Sequence, residues 1–275
     1  MARSIDLHDP QPKAVRGFIP ARTDEERYLM RHIEDLARTA FSREIARYSG
    51  FLSDREQDLA RAALGRADIE EGFRFEGGWP QAERRILCLE PEYSYGENPI
   101  RCVRLQCRAL PGAALPAHKD YLGSLMGLEL KREALGDIVL PEDQPGTAYV
   151  FALEPAAQLI CRELFQAGHT ELTTELLEPD EIPSFPQARR ELRSATVSSL
   201  RLDAVLAAML RCSRGQACEL IAAGRGEINH LPAEKPHAPV YEGDVFTVRG
   251  KGRFGLTALP GKSKKDRPII EFFQY

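Results

Sequence analysis

Along its last quarter the chain carries arginines and lysines around what reads as the junction of two short helices and in the loops beyond it: Arg201, Arg211, Arg214, Arg225, Lys235, Arg249, Lys251 and Arg253. The chemistry open to such a set is anion recognition. A guanidinium presents a planar fork of N–H donors that matches two phosphate oxygens, and an ammonium acts as a compact point charge. Ser213-Arg-Gly-Gln216 has the form of a capping box that opens a helix. Arg214 then falls on a first turn, where free backbone N–H groups and the positive end of the helix dipole already favour a phosphate. Ser213 and Gln216 stand beside it as polar contacts, and the other cations can track a phosphodiester backbone. A second group, Lys119, Lys131 and Arg132, is a candidate for a further phosphate contact.

Other chemistries find less support. Gly250-Lys-Gly-Arg-Phe-Gly255 satisfies the dinucleotide pattern, but Pro260 and Gly261 interrupt the segment where the required helix would run. His118 beside Asp120 suits acid–base work, yet it lacks a nucleophile or a metal partner and reads as a helix cap. The six cysteines (Cys88, Cys102, Cys107, Cys161, Cys212 and Cys218) form no C-x-x-C pair and read as reduced core thiols. Tyr121 and Tyr149 read as core residues and not as base-stacking ones. No catalytic residue, metal or cofactor is expected.

The composition is that of a globular protein, 43% hydrophobic and 28% charged. No stretch approaches the length of a membrane span, and the N-terminus carries no apolar leader, so a cytoplasmic location without membrane contact is expected. The net charge of −4 is unevenly divided: residues 195–275 hold 12 Lys/Arg against 8 Asp/Glu, or +4, which leaves −8 for residues 1–194. That asymmetry points to a nucleic-acid contact confined to one domain.

Hydrophobic spacing organises the chain as an α+β protein. Capping boxes at Thr23/Glu26 and Ser53/Glu56 open helices, which predicts a helical N-terminal domain over 1–76. Over 77–180 apolar runs at Ile86–Leu89, Ile100–Leu105, Asp137–Leu140, Ala148–Phe151 and Leu172–Leu177 alternate with helical patterns near Tyr121–Met126 and Pro155–Leu164. The order β-α-β-β-α-β is that of a ferredoxin-like or RRM-like plait. A Pro-containing linker is expected over 181–195. From 196 to 275 two short helices precede a small β-unit and a short basic tail that includes Lys262-Ser-Lys-Lys265.

In this last segment Leu200-Arg-Leu-Asp203, Ser213-Arg214, Ala217, Gly224, Ile228-Asn229, Lys235 and Glu242-Gly-Asp244 together resemble the S4 RNA-binding domain, of αL type. Gly226-Glu227 departs from the pattern, where an apolar and then often a basic residue is usual. Upstream, His118-Lys-Asp-Tyr-Leu-Gly123, Gly127, Lys131-Arg-Glu133 and Gly136-Asp-Ile138, with Phe51-Leu-Ser-Asp-Arg-Glu56 and the basic stretch Arg249–Phe254, resemble the YlmH family of bacterial S4 proteins. The resemblance implies a non-enzymatic, monomeric factor bound to large-subunit ribosomal RNA, with tRNA as a further ligand, in rescue or quality control of stalled translation. An S4-bearing pseudouridine synthase or RNA methyltransferase, or a cell-division adaptor, are the alternatives.

Overall fold

The computed structural model describes residues 21, 23–108, 114–186, 191–229 and 231–275 of the protein. The chain divides into two compact units, Ile19–Gln187 and one that contains Ala188–Tyr275. Both mix helix and sheet, so the chain is α+β.

The first unit opens with helix α1 (Asp24–Arg43), whose N-cap Thr23 accepts the Glu26 N–H through its hydroxyl at 3.1 Å. Strand β1 (Arg47–Leu52) leads into helix α2 (Asp54–Arg66), where Ser53 and Glu56 cap each other reciprocally. The Arg55 guanidinium meets Glu26 at 3.0 Å in a largely buried pair that ties the two helices together. Here the sequence expectation needs correction. These helices do not make a helical domain on their own, because they pack on an antiparallel sheet of order β1-β3-β2, with β2 at Phe73–Glu76 and β3 at Arg85–Leu89. Ile86–Leu89, expected to belong to the plait, is the centre strand of this other sheet. Leu87 and Leu89 face the α1–α2 core while Ile86 and Cys88 face the opposite side, so both faces of β3 are buried. A strand buried on both faces reads as an unbroken apolar run, which hides the sheet to which it belongs.

A second sheet follows in the same unit. Strands β4 (Ile100–Cys107), β5 (Leu135–Val139), β6 (Thr147–Leu153), β7 (Gln166–Ala167) and β8 (Thr170–Leu177) are all antiparallel, in the order β5-β6-β4-β8-β7. Helices α3 (His118–Met126) and α4 (Glu154–Glu163) contribute to the core on one face, with Val103, Leu105, Val150 and Leu172. The other face carries Cys102, Tyr149, Phe151 and Leu177 against Phe51, Ile86, Cys88, Trp79, Ile182 and Phe185. The two sheets share this second core. The Asp137 carboxylate links them by accepting the Trp79 indole N–H at 3.1 Å and the backbone N–H groups of Glu83 and Arg84 at 2.8 and 3.1 Å.

The second unit is a six-stranded antiparallel sheet of order β11-β10-β12-β13-β14-β9 with two helices packed on it. Its elements are β9 (Arg193–Thr196), α5 (Leu202–Leu210), α6 (Arg214–Ala222), β10 (Gly226–Ile228), β11 (Leu231–Pro232), β12 (Val245–Val248), β13 (Gly252–Lys262) and β14 (Pro268–Gln274). Leu202, Val205, Leu206, Ile221, Phe246, Phe254, Leu256, Ile270 and Phe272 share one core. Asn229, in the left-handed region at φ 47°, accepts the Val245 N–H at 2.8 Å through its side chain and donates to Asp244 at 3.2 Å. Gly243, at φ 84°, supplies the positive φ of the adjoining turn. The Asn229 and Glu242-Gly-Asp244 motif residues are therefore turn locks.

Two further expectations are corrected in these segments. The linker placed at 181–195 is structured at both described ends: Ile182 and Phe185 pack in the first unit, and Arg193–Thr196 pairs with β14 as an edge strand. The short basic tail is a hairpin of β13 and β14. Pro260 and Gly261 suggest a break, yet the register runs from Ala258 opposite Glu271 to Gly261 opposite Ile269, three steps against two. The extra residue is a bulge that lets a proline stay in the strand.

Candidate nucleic-acid interface

The basic face is built around one buried carboxylate. Asp203, 4% exposed, lies in the first turn of α5. Its Oδ2 accepts from Arg214 Nη2 at 2.5 Å, its Oδ1 accepts from the Ala204 N–H at 2.9 Å, and Arg201 Nε lies 3.4 Å from Oδ1. The loop after β11 returns to the same place. The carbonyls of Pro236 and Ala238 accept the N–H groups of Asp203 and Leu202 at 2.9 and 3.0 Å, and Arg201 bridges to Pro239. Lys235, exposed, is thereby brought beside the start of α5. Arg201 and Arg214 thus meet at Asp203, and the loop that carries Lys235 is hydrogen-bonded to the start of the same helix. Both arginine side chains stay about half exposed, at 46% and 49%, so each keeps N–H donors toward solvent while one edge holds the carboxylate.

Burial alone would raise the Asp203 pKa, but the Arg214 hydrogen bond and charge, the Ala204 N–H and Arg201 outweigh it and hold the carboxyl below its ordinary value. A depressed folded-state pKa contributes stability that is present above the unfolded value, about 4, and is lost as the pH falls through the folded one. Acidification below about pH 4 should therefore lower the melting temperature of this unit. In an Arg214→Gln protein burial regains weight and the folded-state pKa moves back toward the unfolded value, so the acid-dependent loss should shrink. Thermal melts followed by circular dichroism across pH 3–7 check this. Identical pH profiles for the two proteins would show that Arg214 does not set the Asp203 equilibrium.

Ser213 and Gln216 form the capping box that their spacing predicts. The Ser213 hydroxyl accepts the Gln216 N–H at 3.2 Å while Gln216 Oε1 accepts the Ser213 N–H at 3.0 Å, so both side chains are engaged in capping α6. The N–H groups of Arg214 and Gly215, which helix geometry leaves without intrahelical partners, are the donors that remain at this end. Arg211 closes α5 in a left-handed conformation, φ 52°, with its side chain exposed.

A second group forms at the β12–β13 turn. Arg225 Nη2 donates to the Arg249 carbonyl at 2.9 Å, and the Arg249 N–H donates to the Arg225 carbonyl at 2.9 Å. Arg249 and Lys251 are exposed on that turn, and the Arg253 guanidinium lies 4.3 Å over the Tyr275 ring. The upstream group divides. Lys119 is exposed on the first turn of α3, and Lys131 is exposed with Glu133 3.9 Å away. Arg132 instead donates to the carbonyls of Leu135 and Gly136 at 3.0 and 3.5 Å and receives Arg84 on its own carbonyl at 3.1 Å, so its guanidinium braces the start of β5.

Sequence reasoning missed that Asp203 anchors the site; the Arg201-Leu-Asp203 string carried the signal, because a carboxylate two residues beyond an arginine in an apolar helix needs a partner when buried. Asp120, read as a cap, does accept the Ala117 N–H at 2.8 Å. Cys88 and Cys102 are buried, which pushes both thiols up to about 12 and leaves them un-ionised. Among the described residues no cluster of three His, Cys, Asp or Glu side chains suits a metal ion, and no helix is long and apolar enough to cross a membrane.

No family model matches the chain. The ribosome-associated protein quality control protein P2 of Bacillus subtilis (strain 168) is 36% identical over 223 residues, which cover 81% of this chain and 84% of that protein. Among solved structures, the cell division protein ylmH from Streptococcus pneumoniae aligns with 61% of this chain and all of its own, at 14% identity and a TM-score of 0.48.

Proposed function

The chain belongs to the YlmH family, as does the ribosome-associated quality control relative, and on that premise we propose that it is a non-enzymatic RNA-binding factor of the large ribosomal subunit. It would engage ribosomal RNA and tRNA in rescue or quality control of stalled translation, as a cytoplasmic monomer. We read Arg193–Tyr275 as its S4 module, and β4 to β8 with α3 and α4 as an RRM-like plait joined to the N-terminal helices and their sheet. The observation that carries the reading is the convergence of Arg201 and Arg214 on Asp203, beside the loop that carries Lys235. Buried Asp203 pre-orders both arginines while half of each side chain stays open to solvent. Ordering long cationic side chains before the ligand arrives lowers the entropy lost on binding, which is how a few residues reach useful affinity for a phosphate backbone.

Arg211, Arg225, Arg249, Lys251 and Arg253 would extend this contact along the backbone, with Ser213 and Gln216 supporting it through the α6 cap. A further contact in the first unit falls to Lys119 and Lys131, with exposed Arg132 presenting the donors that its Nη1 bonds to Leu135 and Gly136 leave open. The intact protein should pellet with the large subunit in sucrose gradients of cell lysate, more strongly when that subunit carries tRNA. A Lys119→Glu/Lys131→Glu protein should pellet less. Equal pelleting by that variant would move the second contact elsewhere, and absence from every ribosomal fraction would overturn the ribosomal reading.

A further inference from the structure

The β13–β14 hairpin ends in a turn that the interface above does not use. Lys262 and Pro268 form its last pair, and Ser263–Arg267 make the tip. Ser263 organises the turn: its N–H donates to the Arg267 carbonyl at 2.8 Å, its hydroxyl accepts the Arg267 N–H at 3.3 Å, and its carbonyl accepts the Asp266 N–H at 2.9 Å. Asp266, in the left-handed region at φ 55°, also takes Lys262 Nζ at 2.9 Å. One serine and one aspartate therefore hold the tip. Lys264, Lys265 and Arg267 are exposed, and among the described residues none of the three has an acidic partner within salt-bridge distance. Three like charges kept together on an ordered turn repel one another, a cost that folding does not require and that a polyanion relieves.

We propose that this tip is an additional binding site for the phosphodiester backbone of structured RNA, an inference that rests on the RNA-binding reading above. Lys264, Lys265 and Arg267 each meet a phosphate there. The surroundings favour phosphate over other anionic partners. From 242 to 274 no large hydrophobic side chain is exposed, so the tip has neither the aromatic anchors of a protein hot spot nor an apolar wedge for a lipid surface. Position favours it too. The Arg249/Lys251/Arg253 group lies at the other end of the same hairpin, and ten residue steps along β13, from Gly252 to Lys262, span roughly 30 Å. Two cationic groups fixed that far apart on a rigid hairpin would contact separate stretches of one folded RNA. Simultaneous engagement raises affinity without either site being strong.

The test uses the full chain, purified large-subunit ribosomal RNA as the probe, and the dependence of binding on salt. Each phosphate contact contributes roughly 0.7–0.9 to the slope of log K against log salt. Lys264→Gln/Lys265→Gln/Arg267→Gln should make the slope shallower by about two to three and weaken binding at least tenfold at about 0.1 M salt, with an unchanged melting temperature. The corresponding triple Glu protein should bind more weakly still. A parent slope and affinity in both triple variants would overturn the tip site while leaving the Asp203-centred interface standing. So would retained RNA binding with loss of binding to phosphatidylserine vesicles, which would assign the tip to lipid. A parent protein that binds no RNA at any salt would overturn the RNA-binding reading itself, and the tip with it.

Discussion

Phe151→Ala should lower the stability of the Ile19–Gln187 unit by about 3–5 kcal/mol, measured as a fall in the denaturation midpoint. Phe151 is fully buried. The Trp79 ring stacks along it with centroids 6.5 Å apart and an interplanar angle of 14°, and Phe185 meets it edge-on at 6.2 Å. Both faces of the cavity left by alanine would be lined by rigid rings and by backbone that cannot close in. A Cβ at Gly136 would lie 2.6 Å from the Phe51 ring, so this core has no slack. The expectation matters for function because Tyr149 and Phe151 lie on β6, an interior strand of the five-stranded sheet, and open sheet faces with aromatic side chains are where RNA bases can stack. Here Phe185 covers both, with centroids 5.0 Å from Tyr149. Phe151→Ala should therefore cost stability and leave RNA affinity unchanged under conditions where the unit remains folded. A variant of parental stability that bound RNA more weakly would show the opposite, that this face stacks nucleic acid.

Replacing Arg201, Arg214 and Lys235 together by glutamine should weaken RNA binding by the intact protein roughly a hundredfold at about 0.1 M salt, with a slope against salt shallower by about two to three. Glutamine is the informative substitution. A glutamate at 214 would bring a second carboxylate against Asp203 and would confound lost binding with lost folding. That is a correction to a sequence-only view of Arg214 as a pure RNA contact, because its inner edge supports a buried acid. With glutamine at 201 and 214, Asp203 keeps the Ala204 N–H, and the loop carbonyls still hold the start of α5. Circular dichroism should then show a folded protein at neutral pH. Ile221→Asp, on a residue 2% exposed, serves as the unfolded reference. Parental affinity in the triple glutamine protein would remove this face from the proposed interface.

Much of the protein was legible from local pattern. The caps at Thr23, Ser53 and Ser213 open helices in the structure, the last two as full capping boxes and Thr23 as an N-cap while Glu26 pairs with Arg55, because a side chain that satisfies an N–H three residues on is a local event. The helical spacing of Leu202, Val205, Leu206, Met209 and Leu210 predicts an apolar face for α5, and in the structure the first four are buried while Leu210 packs against the same core. The basic residues could be chosen by type, and their concentration in residues 195–275 follows from counting charge. Pairings across long stretches of chain were not legible. Whether Ile86–Leu89 joins the plait or a separate sheet depends on which strands lie on either side, and a strand buried on both faces looks the same in either place. The hairpin at Gly252–Gln274 was obscured because a proline and a glycine signal a break locally, while a bulge that absorbs them exists only once β14 is paired. The division of labour among the cations was likewise decided by tertiary structure. Arg132 and Arg214 look like any surface arginine in sequence. Only the fold brings carbonyls to the first and a buried carboxylate to the second, since hydrogen-bond partners distant in sequence are set by packing and not by spacing.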